Sequence, residues 1–154
     1  YISAEIAKHI MDCDEVWHAG DWGDLAVSDA LTTTKLVRGV YGNIDNSTIR
    51  SIYPKEINFT VAGLTVYITH IGGYPGRYEK GVKERLLEVK PDLYICGHSH
   101  ICKVVRDKEL GLINLNPVAI GMNVFHKKRT MRKFGIENGR PMEIQVWDYD
   151  RNKT

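Results

Sequence analysis

The sequence predicts a single α/β domain, on three observations. Short runs of strand composition alternate with segments of helical apolar spacing through the first two thirds of the chain, the pattern of strands joined by helices. From Ile101 onward the pattern turns mostly to β, which predicts an antiparallel second half packed against a more parallel first sheet. The 154 residues carry 43% hydrophobic and 26% charged side chains with no repeat, linker or low-complexity stretch, an ordinary globular composition. A chain of this length buries roughly 70% of the surface its unfolded form exposes, so its core needs no disulfide support.

Residues 3–12 place Ile6, Ile10 and Met11 at helical spacing behind Ser3, which suits a capping position, and predict a first helix. EVWHAGD, residues 15–21, reads as a short strand ending in a turn, and residues 25–31 fit a second helix. Residues 34–45, TKLVRGVYGNID, read as a strand leading into a loop. Two β-rich runs joined across Ala62-Gly63, within residues 57–70, predict a hairpin. IGGYPGRYEKG, residues 71–81, reads as a glycine-rich loop. A helix follows, with Val82, Leu86 and Val89 on one face and Pro91 as its stop. DLYICG, residues 92–97, is the next strand; ICKVVRD, GLINLN, TMRKFGIE and MEIQVWDY complete the β pattern between the turn signals KELG and ENGRP.

Composition narrows the function classes. A formal net charge of +2 is too small to predict a nucleic-acid partner, although the basic run HKKRTMRK, residues 126–133, leaves one open. Such a run is also what an edge strand uses to resist sheet-to-sheet pairing. Cys13, Cys96 and Cys102 are odd in number and unpaired in spacing, which argues for a reducing compartment. No apolar run approaches membrane-spanning length and no signal segment opens the chain, so a cytoplasmic protein is expected, with a homo-oligomer left open.

Four motifs each end a strand-like run: HAGD with Asp21, YGNID with Asn43 and Asp45, YITH with His70, and CGHSH with His98 and His100. In open α/β sheets ligands bind outside the carboxyl ends of strands, so the four are expected to share one place. Taken singly, a Gly-Asp turn, a Gly-Asn-Ile-Asp turn or a core histidine is commonplace. Taken together, three imidazoles, a carboxylate and a carboxamide form a mixed nitrogen and oxygen donor set that suits Mn, Fe, Zn or Ni better than an oxygen-only or thiolate site. His98 and His100 are alternate residues, which in an extended backbone face the same side. His18, just before the Gly-Asp turn, reads as a supporting residue rather than a direct ligand.

The order GD, GNxD, H, GHxH resembles the calcineurin-like metallophosphoesterase superfamily, and within it the small bacterial and archaeal single-domain phosphodiesterases. The resemblance implies a four-layer α/β/β/α sandwich of two mixed sheets and a dinuclear metal centre, manganese first, with iron, zinc or nickel as alternatives. Carried over by position, Asp21 resembles the bridging carboxylate, Asn43, His70 and His98 resemble ligands of the second metal, and His100 resembles a ligand of the first. Family members open with a strand ending in Asp-x-His, which supplies two further ligands. No such motif occurs here, so residues 1–154 read as one domain lacking that strand, with the missing ligands expected just before Tyr1. Asn116-Pro117 resembles a family motif that continues with glycine, where this chain has Val118.

The implied activity is a metal-dependent phosphoesterase, a phosphodiester hydrolase acting on a small phosphorylated substrate. Many members carry a histidine after the Gly-Asn pair that protonates the leaving group, and here that position is Ile44. An isoleucine has no proton to give, so aryl esters are expected to react and alkyl esters to lag. Asp45 is the remaining candidate for a catalytic proton donor, and Arg77 and Tyr74, in the glycine-rich loop, are the substrate-binding candidates. The alternative is a non-enzymatic protein-interaction scaffold on the same fold, as in a retromer subunit.

Overall fold

A computed structural model of the protein describes residues 8, 10, 11, 13–23, 25–33, 35–97, 103–116 and 128–150. Within them the chain runs β1 (Glu15–His18), α1 (Leu25–Thr32), β2 (Leu36–Gly39), α2 (Ser47–Ile52), β3 (Glu56–Val61), β4 (Leu64–Thr69), β5 (Gly73–Tyr74) and β6 (Arg77–Tyr78). It continues as α3 (Val82–Val89), β7 (Leu93–Cys96), β8 (Lys103–Asp107), β9 (Leu112–Asn116), β10 (Lys128–Glu137) and β11 (Arg140–Asp150). The helix expected over residues 3–12 lies mostly outside the described residues, though Lys8 and Ile10 are helical. No described helix is long and apolar enough to cross a membrane.

The α/β class is the one the sequence predicts. A mixed five-stranded sheet has the order β3-β4-β7-β9-β8, with β4, β7 and β9 parallel at its centre and β3 and β8 antiparallel at its edges. β1 pairs with β2 in parallel, and β10 with β11 in an antiparallel ladder. The expected division into a parallel first half and an antiparallel second half needs correction at β9. The KELG turn does make β8 and β9 antiparallel, but the other edge of β9 pairs in parallel with β7. All four residues of β7 are buried, as are Leu112, Asn114, Leu115 and Asn116 of β9, and strands covered on both faces belong at the centre of a parallel sheet.

Local chemistry accounts for the elements. Val61 pairs with Leu64 across Ala62-Gly63, both at positive φ, which closes the predicted hairpin. Lys90 takes a left-handed conformation and its N–H donates to the Leu86 carbonyl (2.9 Å), ending α3 one residue before Pro91. The segment expected as an open loop, residues 71–81, contains a small ladder in which Tyr74 faces Arg77 across Pro75-Gly76. That dipeptide is a turn former, and two residues on each side suffice to pair around it.

Three apolar clusters hold the layers together. Alternate residues of β4 and β7 (Leu64, Val66, Ile68, Leu93, Ile95) join Ala19, Val40 and Leu115, with Trp17, Phe59 and Phe134 packed against them. Trp17 meets Phe59 and Phe134 edge-on, at 5.0 and 5.6 Å between ring centres, and so links β1 to β3 and β10. The opposite residues of the same strands, Tyr67, Tyr94 and Cys96, pack on Val82 and Leu86 of α3. Trp22, Leu31, Ile49 and Tyr53 form the third cluster, with Val16 and Val37 of β1 and β2 against it.

Candidate functional site

The parallel strands end together. Val40 N–H donates to the His18 carbonyl (3.2 Å) where β1 and β2 stop, and Gly97 N–H donates to the His70 carbonyl (2.9 Å) where β4 and β7 stop. The turns that follow β1, β2 and β4 meet at the imidazole of His70. Its Nδ1 lies 2.8 Å from the Ala19 carbonyl oxygen, which can only accept, so Nδ1 carries the hydrogen. Its Nε2 lies 2.9 Å from Asn43 Oδ1 and 3.1 Å from Asp21 Oδ2. The side chains of His70 and Asp21 keep 6% and 9% of their surface exposed, so the pair is withdrawn from water.

Each turn is shaped for this meeting. Asp21 sits at φ 61°, a left-handed conformation that Asp tolerates better than most residues. Residues 42–45 form a tight turn closed by Asp45 N–H to the Gly42 carbonyl (3.1 Å), with Asn43 and the exposed Ile44 at its tip. A side chain at Gly42 would put its first carbon 2.1 Å from Asp21 Oδ1, so only glycine lets the two turns touch. Arg50 of α2 steadies the same turn, its Nε donating to the Asp45 carbonyl (2.9 Å) and its guanidinium lying 4.5 Å over the Tyr41 ring.

Beneath the cluster is an aromatic stack. His18 lies flat on Trp22 at 3.8 Å, and Trp22 on Tyr53 at 4.3 Å, with the indole N–H donating to the Val40 carbonyl (2.9 Å). His18 Nδ1 accepts the Gly20 N–H (3.1 Å) and thereby holds the start of the Gly-Asp turn. Desolvation lowers the His18 pKa from 6.5 to about 4, outweighing the pull of Asp45 toward the charged form, so the ring is neutral at physiological pH.

The donor set fits a divalent cation. With the Nδ1 hydrogen committed to Ala19, His70 Nε2 faces Asn43 Oδ1 and Asp21 Oδ2, a nitrogen and oxygen donor set of the kind that holds a divalent cation. Donor atoms of one coordination sphere with bonds of 2.0–2.2 Å lie about 3 Å apart, the spacing found around Nε2. Among the described residues no three His, Cys, Asp or Glu side chains form such a group by themselves, because the third donor here is the Asn43 amide oxygen.

The structure thus brings together Asp21, Asn43 and His70 of the residues singled out from sequence. His98 and His100 lie outside the described residues. Asp45 is buried beside the cluster, with Oδ1 accepting Gly23 N–H (2.9 Å) and Oδ2 accepting Gly42 N–H (2.7 Å). Arg77 is exposed on the small ladder opposite Tyr74, two residues before Glu79, whose N–H donates to the Gly72 carbonyl (3.1 Å) and pins the base of the ladder. Of the basic run, residues 128–133 form the first half of β10, paired with residues 145–150 of β11. Sequence reasoning missed the Ala19 carbonyl and the Gly23 N–H, because backbone groups leave no mark on residue type. The Trp22 stack carried a signal, an indole directly after the Gly-Asp pair.

Comparisons with known proteins agree with this picture. The family model of the calcineurin-like phosphoesterase superfamily domain matches residues 1–139. A comparison with curated proteins finds no match. Among solved structures the chain is similar to an archaeal phosphodiesterase, at 18% identity and a TM-score of 0.71, covering 94% of this chain and 89% of that one. It is similar to a Thermotoga maritima protein at 24% identity and a TM-score of 0.67, covering 94% and 87%. It is also similar to Vps29 of Entamoeba histolytica complexed with zinc, at 14% identity and a TM-score of 0.65, covering 99% and 91%.

Proposed function

The chain belongs to the calcineurin-like phosphoesterase superfamily, and from that premise we propose that it is a divalent-metal-dependent phosphodiesterase acting on a small phosphorylated substrate. One observation carries the reading: three turns from three strands deliver a carboxylate, an amide oxygen and an imidazole nitrogen to one point. Asp21, Asn43 and His70 would hold the ion, joined by His98 and His100, which follow Gly97 at the end of β7. Two divalent cations, manganese foremost, would supply Lewis acidity and a water acidic enough to ionise near neutral pH.

The remaining steps belong to the chain. Asp21 offers two oxygens, enough to serve two cations. The Ala19 carbonyl keeps Nε2 of His70 as the ligating atom by holding the proton on Nδ1. Arg77, an exposed guanidinium near the cluster in sequence, is the candidate for meeting a non-bridging phosphate oxygen, with Tyr74 opposite it on the ladder. Ile44 stands 59% exposed at the tip of its turn, where it can touch a leaving group but cannot protonate it, so activated aryl diesters are the favoured substrates.

Hydrolysis of bis(p-nitrophenyl) phosphate, measured with and without added Mn²⁺ and with a chelator, tests the reading. Activity is expected only with metal, and Asp21→Asn is expected to abolish it; equal rates with metal and with chelator would sink the proposal. The Vps29 likeness supports a second reading, a protein-interaction scaffold, because the isoleucine at position 44 removes the family's proton donor. Metal binding without hydrolysis of any diester would favour that scaffold.

A further inference from the structure

We infer that Asp45 is a positioning residue, a buried clamp that sets the distance between the two turns carrying Asp21 and Asn43. The inference rests on the metal reading above but concerns a residue that would touch neither ion nor substrate. Asp45 is 5% exposed, and each of its oxygens accepts a backbone N–H from a different turn. Oδ1 takes Gly23 N–H (2.9 Å), two residues past Asp21, while Oδ2 takes Gly42 N–H (2.7 Å), one residue before Asn43.

The grip is reciprocal. Asp21, from the first turn, accepts Ile44 N–H of the second (3.1 Å), while Asp45, from the second, holds Gly23 of the first. The first turn is then fixed at both ends, by His18 on Gly20 and by Asp45 on Gly23, with Asp21 between. The second is fixed by Asp45 on Gly42 and by Arg50 on the Asp45 carbonyl. Two carboxylates spanning the junction in opposite directions leave the turns little freedom to separate when no cation joins them. A proton donor, by contrast, must face the leaving group, whereas Asp45 is 5% exposed and both of its oxygens are turned onto backbone N–H groups.

The clamp and the proton donor predict different measurements. Asp45→Asn keeps the size of the side chain but turns an NH₂ group against one of the two backbone N–H donors, so one half of the clamp opens. In metal-free wild type, the Gly23 and Gly42 amides are expected to be protected from hydrogen exchange, and protection of one of them is expected to fall in the variant. Binding of Mn²⁺, followed by the electron paramagnetic resonance of the free ion, is expected to weaken about 10–100-fold, the effect of losing an outer partner of a metal ligand. Across aryl diesters graded by leaving-group pKa, at saturating Mn²⁺, the variant is expected to lose the same factor on every substrate. Unchanged Mn²⁺ affinity with a loss confined to poor leaving groups would overturn the clamp and restore Asp45 as the acid, leaving the metal reading intact. A wild type that binds no Mn²⁺ would bring down both. Wild-type Gly23 and Gly42 amides that exchange as freely as loop amides would overturn the clamp even if the variant cannot be made folded.

Discussion

Polar contacts on the α3 side of the five-stranded sheet differ from those at the ends of β1, β2 and β4 in a way that separates structural pairing from the candidate site. On the α3 side most side-chain donors meet an acceptor, the Tyr94 hydroxyl excepted. Tyr67 donates to Glu56, Arg85 donates to Glu56 (Nε, 3.0 Å) and Glu88 (2.8 Å), and Tyr78 donates to Asp107 (2.5 Å), which also accepts the Glu109 and Leu110 N–H groups. Burial alone would raise the Asp107 pKa, yet these donors outweigh it and leave the carboxyl below its ordinary value. At the ends of β1, β2 and β4 the arrangement differs: a carboxylate oxygen and an amide oxygen converge within 3.1 Å of one imidazole nitrogen, His70 Nε2. The first kind of cluster lowers the energy of the fold, and the second is the one proposed to hold a cation.

The largest expected effect lies at the candidate site. Asp21→Asn should lose all metal-dependent hydrolysis while the metal-free protein melts no earlier, since Asn also tolerates φ 61° and removes one crowded acceptor. A fall in melting temperature as large as the one expected next at Asp107 would break the comparison. Asp107→Ala should do the reverse. It removes three hydrogen bonds and should cost about 3 kcal/mol in denaturant unfolding, at roughly 1 kcal/mol per bond, with activity retained.

A smaller effect sits in the floor of the site. His18 resists protonation in the folded state down to about pH 4, whereas the unfolded chain takes the proton near 6.5. Its contribution is therefore fully present above pH 6.5 and is lost as pH falls toward 4, amounting to about 2 kcal/mol between pH 7 and 5. Urea unfolding of metal-free protein at the two pH values checks this, and His18→Gln should remove the difference. The smallest effect tests the α3 side. The Tyr94 hydroxyl is buried without a hydrogen-bond partner among the described residues, against Gly72, so Tyr94→Phe should change stability by less than about 1 kcal/mol or raise it slightly. A larger loss would show that this hydroxyl has a partner.

Much of the fold was legible because its signals are local. The hairpin at Ala62-Gly63, the stop of α3 before Pro91 and the strand at Leu93–Cys96 follow from the residues at those positions. The parallel pairing of β9 with β7 did not, since which strands become neighbours depends on burial across the whole sheet. The small ladder at Tyr74 and Arg77 escaped for a related reason: two residues per strand are too few to show a period.

At the site, residue type alone selected Asp21, Asn43 and His70, because each strand-end turn carried an uncommon metal-competent side chain, and their order along the chain pointed to the family. Only the tertiary structure placed Asn43 and Asp21 within 3.1 Å of one imidazole nitrogen and assigned the His70 proton to Nδ1 through the Ala19 carbonyl. It also gave Asp45 partners that no sequence pattern names, the N–H groups of Gly23 and Gly42. The physical reason is common to all of these. A side chain's chemistry is written in its residue type, whereas the direction of a hydrogen bond depends on a backbone group that every residue has and only the folded chain brings within reach.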